Sequence, residues 1–187
     1  MNIAIIGDSF ACDYSEGSWI SLLMQDHNIT NYSARGISEY RLYKMLMSDY
    51  EQIQKADCVI VFHTNPDRVY IPSGVDYPTR KLDSHPHADM VANDILSNAR
   101  WAKNAEVYYK NFYDQDLQDT LYDFLVEDIA QALSNQKTIM CSGFALESYP
   151  AIYSFASVRE KHPGDINHLD INGNLAVYNY IKKNIEE

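Results

Sequence analysis

Apolar runs alternate along the chain with longer segments in which apolar residues recur every three or four positions. The run at Asp57–His63 is the clearest predicted strand, because an unbroken run with β-branched residues is typical of the buried centre of a parallel sheet. Shorter apolar runs at 2–6 and 137–142 predict further strands. The short segment 28–33 is also strand-like, and 151–155 predicts a short fifth strand.

Helical periodicity fills the segments between these strands. It predicts helices at about 17–25, 38–55, 88–104 and 116–134, and an amphipathic helix from 172 to the C-terminus. Strands separated by helices imply right-handed crossovers and a parallel sheet that is covered on both faces. We therefore expect a single domain over 1–187. Its expected fold is α/β, with a parallel sheet of about five strands.

Prolines interrupt regular structure in one long segment. Four of them lie between 66 and 86, so we expect a Pro-rich loop insertion at about 66–88.

Charge and composition limit the classes of partner. The net charge is −11, with 26 acidic and 15 basic residues and no Lys/Arg cluster, which argues against nucleic acid or an anionic membrane as partner. No apolar run approaches the roughly 20 residues that span a membrane, and no signal-peptide pattern is visible. The three cysteines lack metal-like spacing and suit a reducing compartment. We expect a cytoplasmic protein, a pattern that a phage protein would share.

The first predicted strand stops abruptly at Gly7, Asp8 and Ser9. This is either an ordinary exit from a strand or a turn that presents Ser9 as a nucleophile. A serine nucleophile needs a histidine to accept its proton and a third group to orient that histidine. Among the six histidines, His168 has a carboxylate, Asp165, at short spacing in a turn before the last helix. The alternative for this turn is a helix N-cap region.

Other candidate residues follow the neighbouring strands. Ligands bind at the carboxyl ends of the strands in such sheets, where Gly36 follows the second strand and Asn65 follows the third. His63, at the end of the third strand, is a candidate for contact with substrate, although a strand-end histidine is more often packed. Arg68 is a candidate partner for an anionic group of the substrate, with a surface salt bridge as the alternative.

These segments resemble, in order, the four sequence blocks of the SGNH, or GDSL-type, hydrolases. The first block matches at Gly7-Asp8-Ser9, followed by Trp19 and Leu23 at the usual distance, and the last block, Asp-x-x-His, matches at Asp165 and His168. The two middle blocks are altered: "NYSARG" has Ser33 for the first glycine and keeps Gly36, while "HTNP" keeps Asn65 but has His63 and Pro66 for the flanking Gly and Asp.

The resemblance implies a serine esterase with no cofactor and with the SGNH hydrolase fold, a three-layer αβα, flavodoxin-like α/β arrangement. Its substrate would be an acyl ester, for example an acetyl ester, of a carbohydrate or small alcohol. Ser9 would be the nucleophile, His168 the general base, and Asp165 the residue that orients His168. Ser9 and Gly36 through their N–H groups, and Asn65 through its side chain, would form the oxyanion hole. Asp8 would be mainly structural.

Other functions stay open. The altered third block suits a binding or structural module in which catalysis is weak or lost. A flavodoxin-like phosphate binder is disfavoured because no Gly-rich phosphate loop is present. The segment "DSHPHAD" offers Asp83, His85, His87 and Asp89 as ligands, but the family chemistry needs no metal and none is predicted. The 15 tyrosines favour a glycan substrate.

Overall fold

Five parallel strands form one sheet in the order β2-β1-β3-β4-β5. The computed structural model describes residues 1–72, 88–96, 102–146, 149, 151–164 and 168–187. The strands are β1 Asn2–Gly7, β2 Asn28–Asn31, β3 Cys58–His63, β4 Thr138–Ser142 and β5 Tyr153–Ser154. The chain steps outward from β1 to β2 and then crosses back to β3, so the strand order reverses between β1 and β3. A crevice for ligands is expected at the carboxyl ends of these two strands.

Helices cover both faces of the sheet. They are α1 Trp19–Leu23, α2 Glu39–Ser48, α3 Tyr50–Ile53, α4 Ala102–Asn111, α5 Gln115–Ala132, α6 Ala156–Lys161 and α7 Ile171–Glu186, with short 3₁₀ helices at Ser9–Ala11 and Ala92–Leu96. The predicted three-layer α/β fold is confirmed. No helix in the described part of the chain is both long and apolar enough to span a membrane.

The core lies on both sides of the central strands. Along β3, Cys58, Ile60 and Phe62 pack into one cluster with α1 and α7, while Val59 and Val61 pack into another with α2 and α5. Successive strand residues point to opposite faces, so a strand buried on both faces is apolar at every position. This explains why the β3 segment was the clearest strand in the sequence.

Gly7 is the last residue of β1 and pairs with Phe62 on β3. A Cβ at position 7 would lie 2.6 Å from the Cβ of Phe62, so no larger residue fits without moving one of the strands. The glycine before Asp8 therefore allows the close pairing of β1 with β3.

Two predicted helices differ from the structure. The helix expected at 38–55 is divided at Asp49 into α2 and α3. The helix expected at 88–104 is wrong: Met90 forms an antiparallel bridge with Val69, Ala92–Leu96 is a 3₁₀ helix, and α4 begins at Ala102. Most of the predicted Pro-rich loop, at 73–87, lies outside the described residues.

Candidate active site

Ser9 begins the 3₁₀ helix directly beyond β1. The carboxylate of Asp8 caps this helix, accepting a hydrogen bond from the N–H of Phe10 at 3.0 Å. The N–H of Asp8 donates to the carbonyl of Phe62 on β3 at 3.2 Å. The turn is thus fixed both to its own helix and to the neighbouring strand, and it holds the half-buried Ser9 at the carboxyl edge of the sheet.

The side chain of Asp8 is enclosed by protein rather than open to solvent. Its side chain is buried, with 3% of the residue exposed. Burial raises the pKa of Asp8 to about 7, although the N–H of Phe10 and the charge of Arg68 favour the carboxylate. The carboxyl therefore stabilises the turn that carries Ser9 and does not face solvent.

Gly36 lies in the loop between β2 and α2 with a φ of +70°, in the left-handed region that favours glycine. Its carbonyl accepts hydrogen bonds from the N–H of Asp89 at 2.7 Å and from Nη1 of Arg68 at 3.2 Å. A Cβ at position 36 would lie 2.9 Å from the Cβ of Ala88. Both its conformation and its neighbours therefore require a glycine here.

Asn65 follows β3 and begins a short turn that ends at Arg68. Its Oδ1 accepts a hydrogen bond from the N–H of Asp67 at 2.8 Å, and its carbonyl accepts one from the N–H of Arg68 at 3.1 Å. Because the amide oxygen is committed within the turn, Nδ2 is the atom that this side chain offers to a ligand. That atom is a hydrogen-bond donor, as an oxyanion requires.

Arg68 connects the loop after β2 to the loop after β3. Its Nη1 donates to the carbonyls of Gly36, at 3.2 Å, and Asp89, at 3.1 Å. No salt bridge involves Arg68 among the residues that the structure describes. Its expected contact with an anionic group of the substrate stays a prediction.

His63 is buried and paired, as the packed alternative predicts, and its contact with substrate stays a prediction. The residue has no exposed surface, and Nδ1 lies 2.7 Å from Oε1 of Glu39, itself 3% exposed. Sequence reasoning missed Glu39, since a glutamate in the first turn of a helix is usually a solvent-facing residue near the helix dipole. The two residues are 24 positions apart, so no local spacing indicates the pair.

His168 comes from the opposite end of the sequence to the same edge. Its ring stacks on that of Phe10, the residue after Ser9, with centroids 5.4 Å apart and an interplanar angle of 24°. The carbonyl of His168 accepts the N–H of Gly164 at 2.7 Å, which closes the turn before α7. Asp165 lies outside the described residues, so its orienting role stays a prediction.

The segment before α7 does contain a helix N-cap, as the alternative for this turn predicts. Asp170 is the N-cap of α7 and accepts the N–H of Gly173 at 2.8 Å. Its other oxygen lies 3.7 Å from Nδ1 of His162. The cap of α7 therefore does not account for His168 two residues earlier.

Asp89, one of the four ligands considered in the "DSHPHAD" segment, has a structural role. The fully buried carboxylate accepts hydrogen bonds from the N–H and the hydroxyl of Ser38, both at 2.8 Å, and from Nη2 of Arg41 at 2.6 Å. The other three members of that segment lie outside the described residues. Elsewhere in the described ranges, no group of three or more such side chains is arranged to hold a metal ion.

Several residue types that acyl transfer uses lie near one another. A serine at a strand end, a histidine ring beside the following residue, a glycine loop and an asparagine amide donor lie along one edge of the sheet. Residues of these types serve in acyl transfer as nucleophile, base and hydrogen-bond donors to a developing oxyanion.

Comparisons with known proteins give similarity in structure but not in sequence. No family model matches the chain, and no curated protein matches it significantly. The lipase Lip_vut3 from a goat rumen metagenome superposes with a TM-score of 0.54 and 15% identity, covering 98% of this chain and 97% of that one. A structure from Desulfitobacterium hafniense DCB-2, assigned to the G-D-S-L family of lipolytic proteins, gives 0.51 and 15%, covering 98% of both chains. These similarities extend over the whole fold.

Proposed function

We propose that this chain, which has the fold of the SGNH or GDSL-type hydrolases, is a serine esterase that cleaves acyl esters through Ser9, His168 and Asp165. The observation that carries the proposal is the stacking of His168 on Phe10, which brings a histidine 159 positions from Ser9 to the residue beside it. A turn that merely ends β1 would need no such partner.

Each step of the reaction uses one of these groups. Ser9 Oγ attacks the ester carbonyl while His168 accepts its proton, and Asp165 orients the imidazole. The oxyanion of the tetrahedral intermediate accepts hydrogen bonds from the N–H groups of Ser9 and Gly36 and from Nδ2 of Asn65. His168 then protonates the leaving alcohol, and water activated by the same histidine hydrolyses the acyl-enzyme.

The proposed substrate is a small acyl ester, for example an acetyl ester, of a carbohydrate or small alcohol. The 15 tyrosines of the chain support a sugar, because aromatic rings stack on sugar faces. The guanidinium of Arg68 holds the loops of Gly36 and Asn65, and its positive charge favours a substrate with an anionic group.

Hydrolysis of p-nitrophenyl acetate by wild type, Ser9→Ala and His168→Ala tests the proposal. We expect each substitution to lower kcat at least about a thousandfold, because neither partner of a nucleophile–base pair works without the other. His162→Ala is the matched control, since His162 flanks the same turn and should keep turnover within about threefold of wild type. Circular dichroism checks that each variant is folded.

The rival function is a binding module with the same fold, which the replacements at His63 and Pro66 favour. A fluorophosphonate probe separates the two, since it labels only an activated serine. Labelling of wild type but not of Ser9→Ala supports the esterase. Absence of labelling together with equal turnover in all variants would support the binding module.

A further inference from the structure

One buried carboxylate is bonded to both residues that precede Asn65. Oε1 of Glu39 lies 2.7 Å from Nδ1 of His63, and Oε2 accepts the N–H of Thr64 at 3.2 Å. A buried carboxylate is costly unless both oxygens are satisfied, so the energetic penalty for losing either bond is large. Glu39 therefore fixes the ring of one residue and the peptide of the next as a unit.

The same two residues are bonded from two further elements. Ser142 Oγ on β4 donates to the carbonyl of His63 at 3.1 Å, and the hydroxyl of Tyr122 on α5 donates to the carbonyl of Thr64 at 3.0 Å. Together with Glu39 on α2, these contacts hold the end of β3 from three directions. All the groups involved are buried.

Among the described residues, the hydrogen bonds of Asn65 itself stay within its own turn. They run to Asp67 and Arg68, so they fix the shape of the turn. After Asn65, Nε2 of Gln118 on α5 donates to the carbonyl of Pro66 at 2.9 Å. Before Asn65, the chain continues directly from Thr64, whose N–H is bonded to Glu39.

The need for Glu39 follows from the altered third block. In the pattern that this block resembles, position 63 is glycine, which brings no side chain into the interior. Histidine at this position places a polar ring in the core, where at least one nitrogen must find a partner. Glu39 supplies that partner and, with its second oxygen, bonds the peptide next to Asn65.

We propose that Glu39 is a positioning residue of the active site: acting through His63 and Thr64, it sets the place of Asn65 and so aims Nδ2 at the oxyanion. Glu39 does not touch the substrate, because its side chain is buried and its two oxygens are bonded to His63 and Thr64. This inference rests on the proposed esterase function, in which Asn65 is an oxyanion donor.

A double-mutant cycle between Glu39→Ala and Asn65→Ala tests the inference, with kcat and KM measured on p-nitrophenyl acetate. We expect Glu39→Ala to lower kcat roughly 10- to 100-fold, approaching the 10²- to 10³-fold loss typical of removing one oxyanion donor, with KM changed less than about threefold. In the Asn65→Ala background the same substitution should change kcat by less than about threefold, because the donor that it positions is already absent. Equal fractional losses in both backgrounds would show a general structural effect and overturn the inference.

Three further variants sharpen the experiment. Glu39→Gln should keep kcat within about fivefold of wild type, since its carbonyl can accept the N–H of Thr64 and its amide can donate to Nδ1 of the other His63 tautomer. Glu106→Ala, an exposed glutamate paired with Lys110, is the matched control and should leave kcat unchanged. If Glu39→Ala does not fold, Tyr122→Phe decides by the same criterion, because it removes only a hydroxyl from the same set of bonds.

Failure of the esterase proposal would look different from failure of this inference. If wild type shows no turnover that depends on Ser9, the function is wrong and the positioning role is lost with it. If wild type depends on Ser9 while the Glu39 and Tyr122 variants keep full kcat, only the positioning role is overturned.

Discussion

At the scale of single residues, Asp8 couples protonation to folding. Burial raises its pKa in the folded protein from the ordinary 3.8 to about 7. Between about pH 4 and pH 7 the folded state therefore retains a proton that the unfolded chain has released. The free energy of unfolding contributed by this group falls as the pH rises through that window, because the unfolded state binds fewer protons there.

The substitution Asp8→Asn removes this titration while its amide oxygen can still accept the N–H of Phe10. We expect wild type to lose up to about 4 kcal/mol of unfolding free energy relative to Asp8→Asn between pH 4 and pH 7. Urea unfolding at several pH values measures the difference, and Asp119→Asn on α5 serves as an exposed control that should follow wild type. Parallel curves for wild type and Asp8→Asn would contradict the buried titration.

The positions of single residues were predictable where topology decides them and not where distant partners do. Ser9, Gly36 and Asn65 lie along one edge because parallel strands present their carboxyl ends together, a consequence of strand order alone. Their catalytic roles stay predictions. For His63 the sequence leaves contact with substrate and packing both open, and its partner Glu39, 24 positions away on α2, could not be predicted from local spacing.

At the scale of elements, the loop between β2 and α2 depends on Gly36. An alanine there must adopt a φ near +70° and place its Cβ 2.9 Å from that of Ala88. We expect Gly36→Ala to lower the free energy of unfolding by about 1–3 kcal/mol, because the backbone is strained. If the Gly36 N–H is an oxyanion donor, as proposed, the same strain displaces it and lowers kcat by about a hundredfold.

A second glycine with positive φ provides the matched control for Gly36→Ala. Gly17 has a φ of +83°, but a Cβ there would meet the flexible end of Ile171 at 3.2 Å. Gly17→Ala should cost about 1–2 kcal/mol of stability and leave kcat unchanged. Equal losses of kcat in both variants would mean that strain in general, rather than the place of Gly36, affects activity.

Strands and helices were likewise predictable where the local sequence decides them, and not where distant partners do. The apolar runs identify β1 and β3 correctly, since a strand buried on both faces leaves an unbroken run in the sequence. β2 is only partly buried and has no such run. The helix predicted at 88–104 is wrong because the backbone of 88–90 is held extended by the bridge between Val69 and Met90 and by the bonds of Asp89 to Ser38 and Arg41. These partners are far away in sequence, so local periodicity carries no trace of them.

At the scale of the whole molecule, one sheet separates two apolar clusters. Trp19 lies in the cluster with α1 and α7, and Leu42 lies on the opposite face with α2 and α5. The two clusters share the central strands, whose side chains alternate between them. If the chain is a single cooperative domain, as its length predicts, damage to one cluster must lower the stability of the other by the same amount.

Leu42→Ala tests this cooperativity. Because Leu42 is fully buried, we expect its truncation to lower the free energy of unfolding by about 2–5 kcal/mol. In a Trp101→Phe background, the fluorescence of Trp19 and the far-UV circular dichroism should keep a common urea midpoint, and both should fall together. Leu175→Ala, at a side chain that is 46% exposed, should cost less than about 1 kcal/mol. A midpoint for Trp19 that stays in place while the dichroism midpoint falls would show that the two faces unfold separately, and the single-domain prediction would then be wrong.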